Sequence, residues 1–298
     1  MPQLSVSFRP AQVGFILALL ASTGFAAKAI FAKLAYRYGV DAVTMVTIRM
    51  FLSVVLLAGI RLWRTETGAP LTIPQKLWLI ALGVVGYYLS SLLDFIGLQT
   101  VSASLERLIL CLYPTLTVLI SAALQRSRIP GRIWLVMLVT YLGIVLVLGP
   151  DLYHARADWF GVLCVALSAT TFALYMSFSP RVIQAVGSMR FTELALGVSC
   201  LAIVAHFALT RPWSDLQQPA PVWGYGLLMA LFSTVLPIYA TSAAMQRIGG
   251  AKTALIGSFG PVLTIIFGLG ILGEVLTPLQ WLGAAVVLFG VSLVNKKD

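Results

Sequence analysis

Leu112-Tyr113-Pro114-Thr115-Leu116-Thr117 and Phe259-Gly260-Pro261-Val262-Leu263-Thr264 lie 147 residues apart in a chain of 298. Proline falls on proline, leucine on leucine and threonine on threonine. The same register runs on without a gap: Gln99 meets Gln246, Trp134 meets Trp281, Leu135 meets Leu282 and Gly143 meets Gly290. Towards the start, Gly14 meets Gly161, Thr23 meets Thr170, and Phe25-Ala26 meets Phe172-Ala173. An apolar chain yields chance leucine and alanine matches freely. It does not readily yield tryptophan, proline and glutamine matches in one register. The chain therefore reads as a duplication, 1–150 and 151–298, in which the second and seventh apolar segments match poorly.

Each copy carries five apolar segments. They cover approximately 11–34, 43–62, 76–98, 101–124 and 132–149, then 158–180, 191–210, 221–245, 250–272 and 277–294. A helix of about 20 apolar residues crosses a bilayer core of roughly 30 Å. The predicted fold is thus an all-α membrane protein with ten transmembrane helices in two five-helix repeats. Five is odd, so the second copy must enter the membrane inverted, an arrangement that transporters use. Two like halves in opposite senses give inward-open and outward-open states of similar energy, which a few kcal/mol interconvert.

Composition agrees. Hydrophobic residues make up 59% and charged residues 10%, and mean hydropathy is +0.95. Soluble domains carry about 25% charged residues, so a soluble enzyme and a disordered chain are both excluded. The net charge of +10 would point to nucleic acid on a soluble domain, but here the cations lie in the links between apolar runs. The N-terminus and the even-to-odd links hold 13 Lys and Arg: Arg9, Arg61, Arg64, Lys76, Arg126, Arg128, Arg132, Arg181, Arg190, Arg247, Lys252, Lys296 and Lys297. The other side holds five, namely Lys33, Arg37, Arg107, Arg156 and Arg211. By the positive-inside rule both termini are expected in the cytoplasm, with the chain multi-pass in a bacterial inner membrane. Trp63, Trp78, Trp159, Trp213 and Trp223 fall near segment ends, as interfacial aromatics do. The first apolar run, from about Ala11, is long enough to span and reads as a retained helix, not a signal peptide.

Pro114 and Pro261 sit near the middles of the fourth and ninth segments. A proline there deprives the carbonyls of Leu110 and Gly257 of their helical donors. Repeat-related bends of this kind are expected to border a cavity, where freed backbone groups find partners. Pro237 faces Ser90 in the repeat register and has no proline partner. Helical spacing gathers further side chains towards the same place. Phe25 and Lys28 fall on the first segment, Tyr87, Ser91 and Asp94 on the third, and Tyr113 on the fourth. Phe172 and Tyr175 fall on the sixth, Thr234 and Tyr239 on the eighth, and Ser258 and Phe259 on the ninth. Buried tyrosine hydroxyls need partners, so Tyr87, Tyr113, Tyr175 and Tyr239 suggest a pocket with apolar walls and polar tips. At 1.5 Å per residue, Lys28, Arg49, Asp94 and Glu106 fall at nearly one depth; such charges are costly unless paired or hydrated. They form either an ion-pair cluster or a substrate or proton site. Small residues four apart, Ser22 and Ala26 with Ala169, Ala173 and Ser177, favour close helix packing.

No metal, cofactor or nucleotide is expected. Cys111, Cys164 and Cys200 are widely spaced within apolar runs, and His154 and His206 lack ligand company. Glu193 and Glu274 lie near segment ends, where water solvates them. Gly268-Leu269-Gly270-Ile271-Leu272-Gly273 matches the dinucleotide-binding glycine pattern but follows no strand.

Gln99-Thr100-Val101-Ser102-Ala103-Ser104 followed by Pro114 resembles the drug/metabolite transporter superfamily, EamA family. The second half resembles it more closely, through Ala244-Met245-Gln246-Arg247-Ile248-Gly249-Gly250-Ala251, Pro261, Gly273-Glu274, Gln280-Trp281-Leu282-Gly283 and Gly290. The first half departs at Arg126-Ser127, where the family often repeats Gly-Glu. The resemblance implies a secondary transporter, not an enzyme, and is greatest to bacterial amino-acid exporters. The partners it implies are the lipid bilayer and a small-molecule substrate, with no nucleic acid; a monomer is compatible with it. An amino acid asks for a cation at its carboxylate, an oxygen acceptor at its ammonium and an apolar wall. Lys28, the carbonyls near the two prolines and the Tyr/Phe set offer these. A cationic-drug exporter and, more remotely, an intramembrane enzyme are the other readings. The first asks for a membrane carboxylate near the midplane, whereas Asp94 and Glu106 fall shallow and near Lys28 and Arg49, and the second asks for paired acids or a histidine nucleophile.

Overall fold

The computed structural model describes residues 10–62, 70–101, 103–110, 112–154, 158–257, 259–267 and 277–294. Ser102, Ser258, Cys111, Trp63, the 268–273 glycine pattern, Glu274 and the link cations Arg9, Arg64, Arg156, Lys296 and Lys297 lie outside them. Among the described residues every regular element is helical. The first half comprises α1 (Pro10–Tyr36), α2 (Ala42–Leu62), α3 (Ile73–Gly83), α4 (Ser90–Thr100), α5 (Ala103–Leu110), α6 (Leu112–Gln125) and α7 (Gly131–His154). The second comprises α8 (Trp159–Val186), α9 (Ser188–Thr210), α10 (Ala220–Ala230), α11 (Leu236–Ile248), α12 (Gly250–Gly257), α13 (Gly260–Phe267) and α14 (Pro278–Val294). Six continuous runs among the described residues are long and apolar enough to cross a bilayer: Pro10–Tyr36, Ala42–Arg61, Ile73–Thr100, Trp159–Val186, Ser188–Thr210 and Ala220–Ile248. Leu112–Gln125 and Gly131–Gly143 are apolar but shorter.

Two of the long runs are not uniform. A π-helical stretch, Val84–Leu89, joins α3 to α4, and a second, Leu231–Val235, joins α10 to α11. Both begin at the same place in the repeat register, since 84 and 231 differ by 147. The second is followed, after Leu236, by Pro237, which cannot donate to the ladder. The first has no proline to announce it. Stretches of this kind widen the helix by one residue per turn and recur at functional sites.

Local signals set the other ends. Thr72 caps α3 in a reciprocal capping box with Gln75. Gly187 (φ +90°) and Gly249 (φ +80°) occupy the left-handed region between consecutive helices, so α8 passes to α9 and α11 to α12 across single residues. Arg126 takes φ +49° just past α6. It stands opposite Gly273 in the repeat register, and a side chain there costs about 1 kcal/mol against glycine.

Glycines let helices approach closely. A Cβ on Gly97 would stand 2.7 Å from the Gly161 carbonyl, which holds α4 tightly against α8. The interior is filled by Phe95, Phe191, Phe207 and Leu196. Large apolar side chains cover the outside instead: Leu209 is 86% and Trp159 80% exposed, as a lipid-facing surface requires.

One sequence expectation is corrected here. Arg107, counted above among link cations, is buried (6% exposed) within α5 and faces the protein interior. The apolar segment begins with Ser102 and Ser104, so its polar start reads as a link. Helix α5 nevertheless starts at Ala103 and carries Glu106-Arg107 inward.

Candidate functional site

The helices line a cavity of about 130 Å³. Helix α1 presents Ser22, Phe25 and Lys28 to it. The π stretch and α4 present Tyr87, Ser91 and Asp94, and α8 presents Phe172. Tyr113 enters from α6, Thr234 from the second π stretch, and Arg49 from α2. Eight residues singled out from the sequence thus line one space: Phe25, Lys28, Tyr87, Ser91, Asp94, Tyr113, Phe172 and Thr234.

The remaining four are placed otherwise. Tyr175 sits behind the wall, fully buried, with its hydroxyl on that of Tyr87 and its ring stacked on Phe172 at 5.7 Å. Tyr239 points away: its hydroxyl donates to Glu193 Oε1 at 3.1 Å, so Glu193 is partnered by protein and not only by water. The cavity face of α11 is formed by Ile238 and Thr241, and one residue's step turns Tyr239 about 100° from Ile238. Phe259 lies in the turn between α12 and α13, half-buried and off the lining. Ser258 lies outside the described residues.

The aromatic wall has edge-to-face geometry. Phe25 meets Phe172, its repeat counterpart, at 6.4 Å and 81°, and Tyr113 meets Phe172 at 5.1 Å and 80°. Tyr113 also lies against Gly257, where any Cβ would run into its hydroxyl. Of the carbonyls that the prolines were expected to free, that of Gly257 is met by a side chain: Ser22 Oγ donates to it at 3.1 Å. Pro261 follows a turn at Phe259 and is the second residue of α13, so it stands at a helix start and not in a helix middle; the residue between α5 and α6, ahead of Pro114, lies outside the described residues.

At one end of the wall is an ionic cluster. Lys28 Nζ pairs with Asp94 Oδ2 and lies 3.4 Å from Glu106 Oε1. Arg107 Nε lies 3.3 Å from Glu106 Oε2, and its Nη2 donates to the carbonyls of Phe25 (2.6 Å) and Ala26 (3.2 Å). The charges seen from the sequence at one depth are thus joined by Arg107, which spacing could have revealed: Leu110 and Tyr113 continue its helical stripe. Arg49 stands beside the cluster, with its guanidinium carbon 4.7 Å from the centre of the Phe95 ring. Ser90 and Ser168, also on the lining, bond one another across α4 and α8, Ser168 Oγ donating to the Ser90 carbonyl at 2.8 Å.

A second space, about 490 Å³, lies further along α6, α8 and α12. The division is visible along each helix. Tyr113 faces the first space and Ser121 the second; Phe172 the first and Arg181 the second; Thr253 the first and Lys252 the second. Between them Ser177 Oγ donates to the Thr117 carbonyl at 3.3 Å, and Gly250 packs on the Met176 carbonyl.

Among the described residues no three His, Cys, Asp or Glu gather as a metal would require. Cys164 and Cys200 are buried and unbridged. His206 pairs through Nδ1 with the Tyr88 hydroxyl at 2.7 Å.

Comparison with known proteins follows this geometry. The model of the EamA-like transporter family matches twice, over residues 12–149 and 159–296. The uncharacterized transporter YcbK of Bacillus subtilis is 30% identical over 94% of this chain and 92% of its own. The threonine/homoserine exporter RhtA of Escherichia coli is 25% identical over 83% of this chain and 80% of its own. A solved crystal structure, 18% identical, matches with a TM-score of 0.76 over 96% of both chains and shows the same fold.

Proposed function

The chain belongs to the EamA-like transporter family, and from that premise we propose that it exports small metabolites, amino acids first among them, across a bacterial inner membrane by alternating access. In this reading the two units, 1–150 and 151–298, are five-helix repeats inverted in the bilayer, with ten crossings in all and both termini cytoplasmic. Moving Arg107 from the links to the interior leaves four cations against 13, which sharpens that orientation. The substrate sits in the first cavity, and the Tyr113–Gly257 and Ser177–Thr117 contacts form the barrier that opens towards the second space.

A single observation carries the proposal: one cavity joins an apolar aromatic wall, Phe25, Tyr113 and Phe172, to ionised side chains of both signs. That combination suits a small zwitterion with a side chain. RhtA, named for threonine and homoserine, supports amino acids as the class. A cationic-drug exporter is supported less well, because Lys28 and Arg107 already meet Asp94 and Glu106. The reading is of a carrier and not of a catalyst.

The test is uptake of a panel of labelled amino acids by purified protein in liposomes, with and without a pH gradient. At least one should enter above protein-free vesicles, and dependence on the gradient would establish proton coupling. Lys28→Ala should lower transport per folded molecule about tenfold or more while reducing yield less. Uptake of no amino acid, alongside movement of cationic dyes, would overturn the amino-acid assignment in favour of drug export.

A further inference from the structure

Five ionisable side chains meet at the cavity: Lys28, Arg49 and Arg107 with Asp94 and Glu106. Lys28 is held by both carboxylates; Arg107 ion-pairs with Glu106, though its Nε makes no hydrogen bond there, and its Nη2 is spent on two α1 carbonyls. Arg49 is different. It is 3% exposed, yet its Nε and Nη2 groups have no hydrogen-bond acceptor. Among the described residues no carboxylate forms an ion pair with it. Its charge lies over the Phe95 ring, which accepts no in-plane N–H. With both carboxylates ionised, the five groups also carry one positive charge in excess.

A buried guanidinium with unmet donors is costly unless something completes it. The planar fork of arginine fits a carboxylate at two points. We propose that Arg49 is the anion receptor of the cavity: it binds the carboxylate of the transported molecule, and Lys28 stays within its own carboxylate pair. One carboxylate supplies both the missing acceptors and the missing negative charge. This deepens the reading of the site given above. It shifts recognition from Lys28 to Arg49 and commits the substrate to bearing a carboxylate.

The experiment is binding to the purified full-length protein in detergent, followed by tryptophan fluorescence or calorimetry. The probes are L-threonine and L-phenylalanine, their amides, and 3-phenylpropionate, which lacks the ammonium. Wild type should bind at least one carboxylate probe tenfold or more tighter than the amides. Arg49→Gln should erase that preference, weakening the carboxylate at least tenfold and the amide less than threefold. Arg49→Lys keeps the charge but loses the two-point fork, so it should retain only part of the preference. The ratio of carboxylate to amide within one variant does not depend on how much protein is folded. Carboxylate preference unchanged in Arg49→Gln, or absent from wild type, would overturn the proposal. Tight, Arg49-dependent binding of 3-phenylpropionate without either amino acid would uphold it while refuting the amino-acid class. Amino-acid binding indifferent to Arg49 would do the reverse.

Discussion

The two halves share a skeleton and differ in charge. Both interrupt the helix with a π stretch at the same rank, both carry a proline further on at one register position, and both send a phenylalanine to the cavity wall. The ionisable groups belong to one half alone. In the repeat register Lys28 faces Tyr175, Arg49 faces Leu196, Asp94 faces Thr241, Glu106 faces Thr253 and Arg107 faces Ala254. The backbone irregularities therefore do not require the charges, and the second half shows what this frame looks like without them. The two halves together line the cavity, and the first half alone brings ionisable side chains to it.

Giving first-half positions their second-half residues tests this separation. Glu106→Thr should be the largest change. Glu106 is 0% exposed and lies against Lys28 and Arg107, so its loss strands buried positive charge and should cost about 3–5 kcal/mol. A marked fall in the unfolding midpoint in detergent is the measurement. If Thr253→Ala, which breaks only a bond to the Gly249 carbonyl, cost as much, the asymmetry would be illusory. Next comes Gly86→Ser, matching Ser233. A Cβ at Gly86 would press on the Tyr175 ring, and such overpacking costs about 1–3 kcal/mol. The same midpoint assay should show it. Ser22→Ala, matching Ala169, removes the donor to the Gly257 carbonyl and should cost about 1 kcal/mol. Smallest is Ser233→Ala: its buried hydroxyl has no hydrogen-bond partner, so stability should change by about 0.5 kcal/mol or less.

How much of this the sequence discloses differs from residue to residue. Phe25 and Phe172 were legible because the repeat register names them together. Lys28, Asp94 and Glu106 are legible because charges are costly in apolar segments and these three, with Arg49, fall at one depth. Arg107 escaped because a polar stretch beside it looked like solvent. Arg49 was seen as a charge, but its unmet donors exist only once α2 is packed against Phe95. Tyr239 was misdirected because neighbouring helix positions diverge by about 100° and a cavity takes only some of them. The first π stretch left no mark in composition, whereas Pro237, unpaired in the register, signalled the second without revealing what it was.

Helix α1 is stitched on two sides with unequal thread. Arg107 binds its Phe25 and Ala26 carbonyls from α5 in its own half, and Ser22 binds Gly257 on α12 in the other. The first stitch is charge-assisted, about 1.5–3 kcal/mol, and the second is neutral, about 1 kcal/mol. Packing runs the other way: the body of α1 lies chiefly against α10 to α13 of the second half, so pulling the halves apart would set its polar ties to one half against its apolar burial in the other.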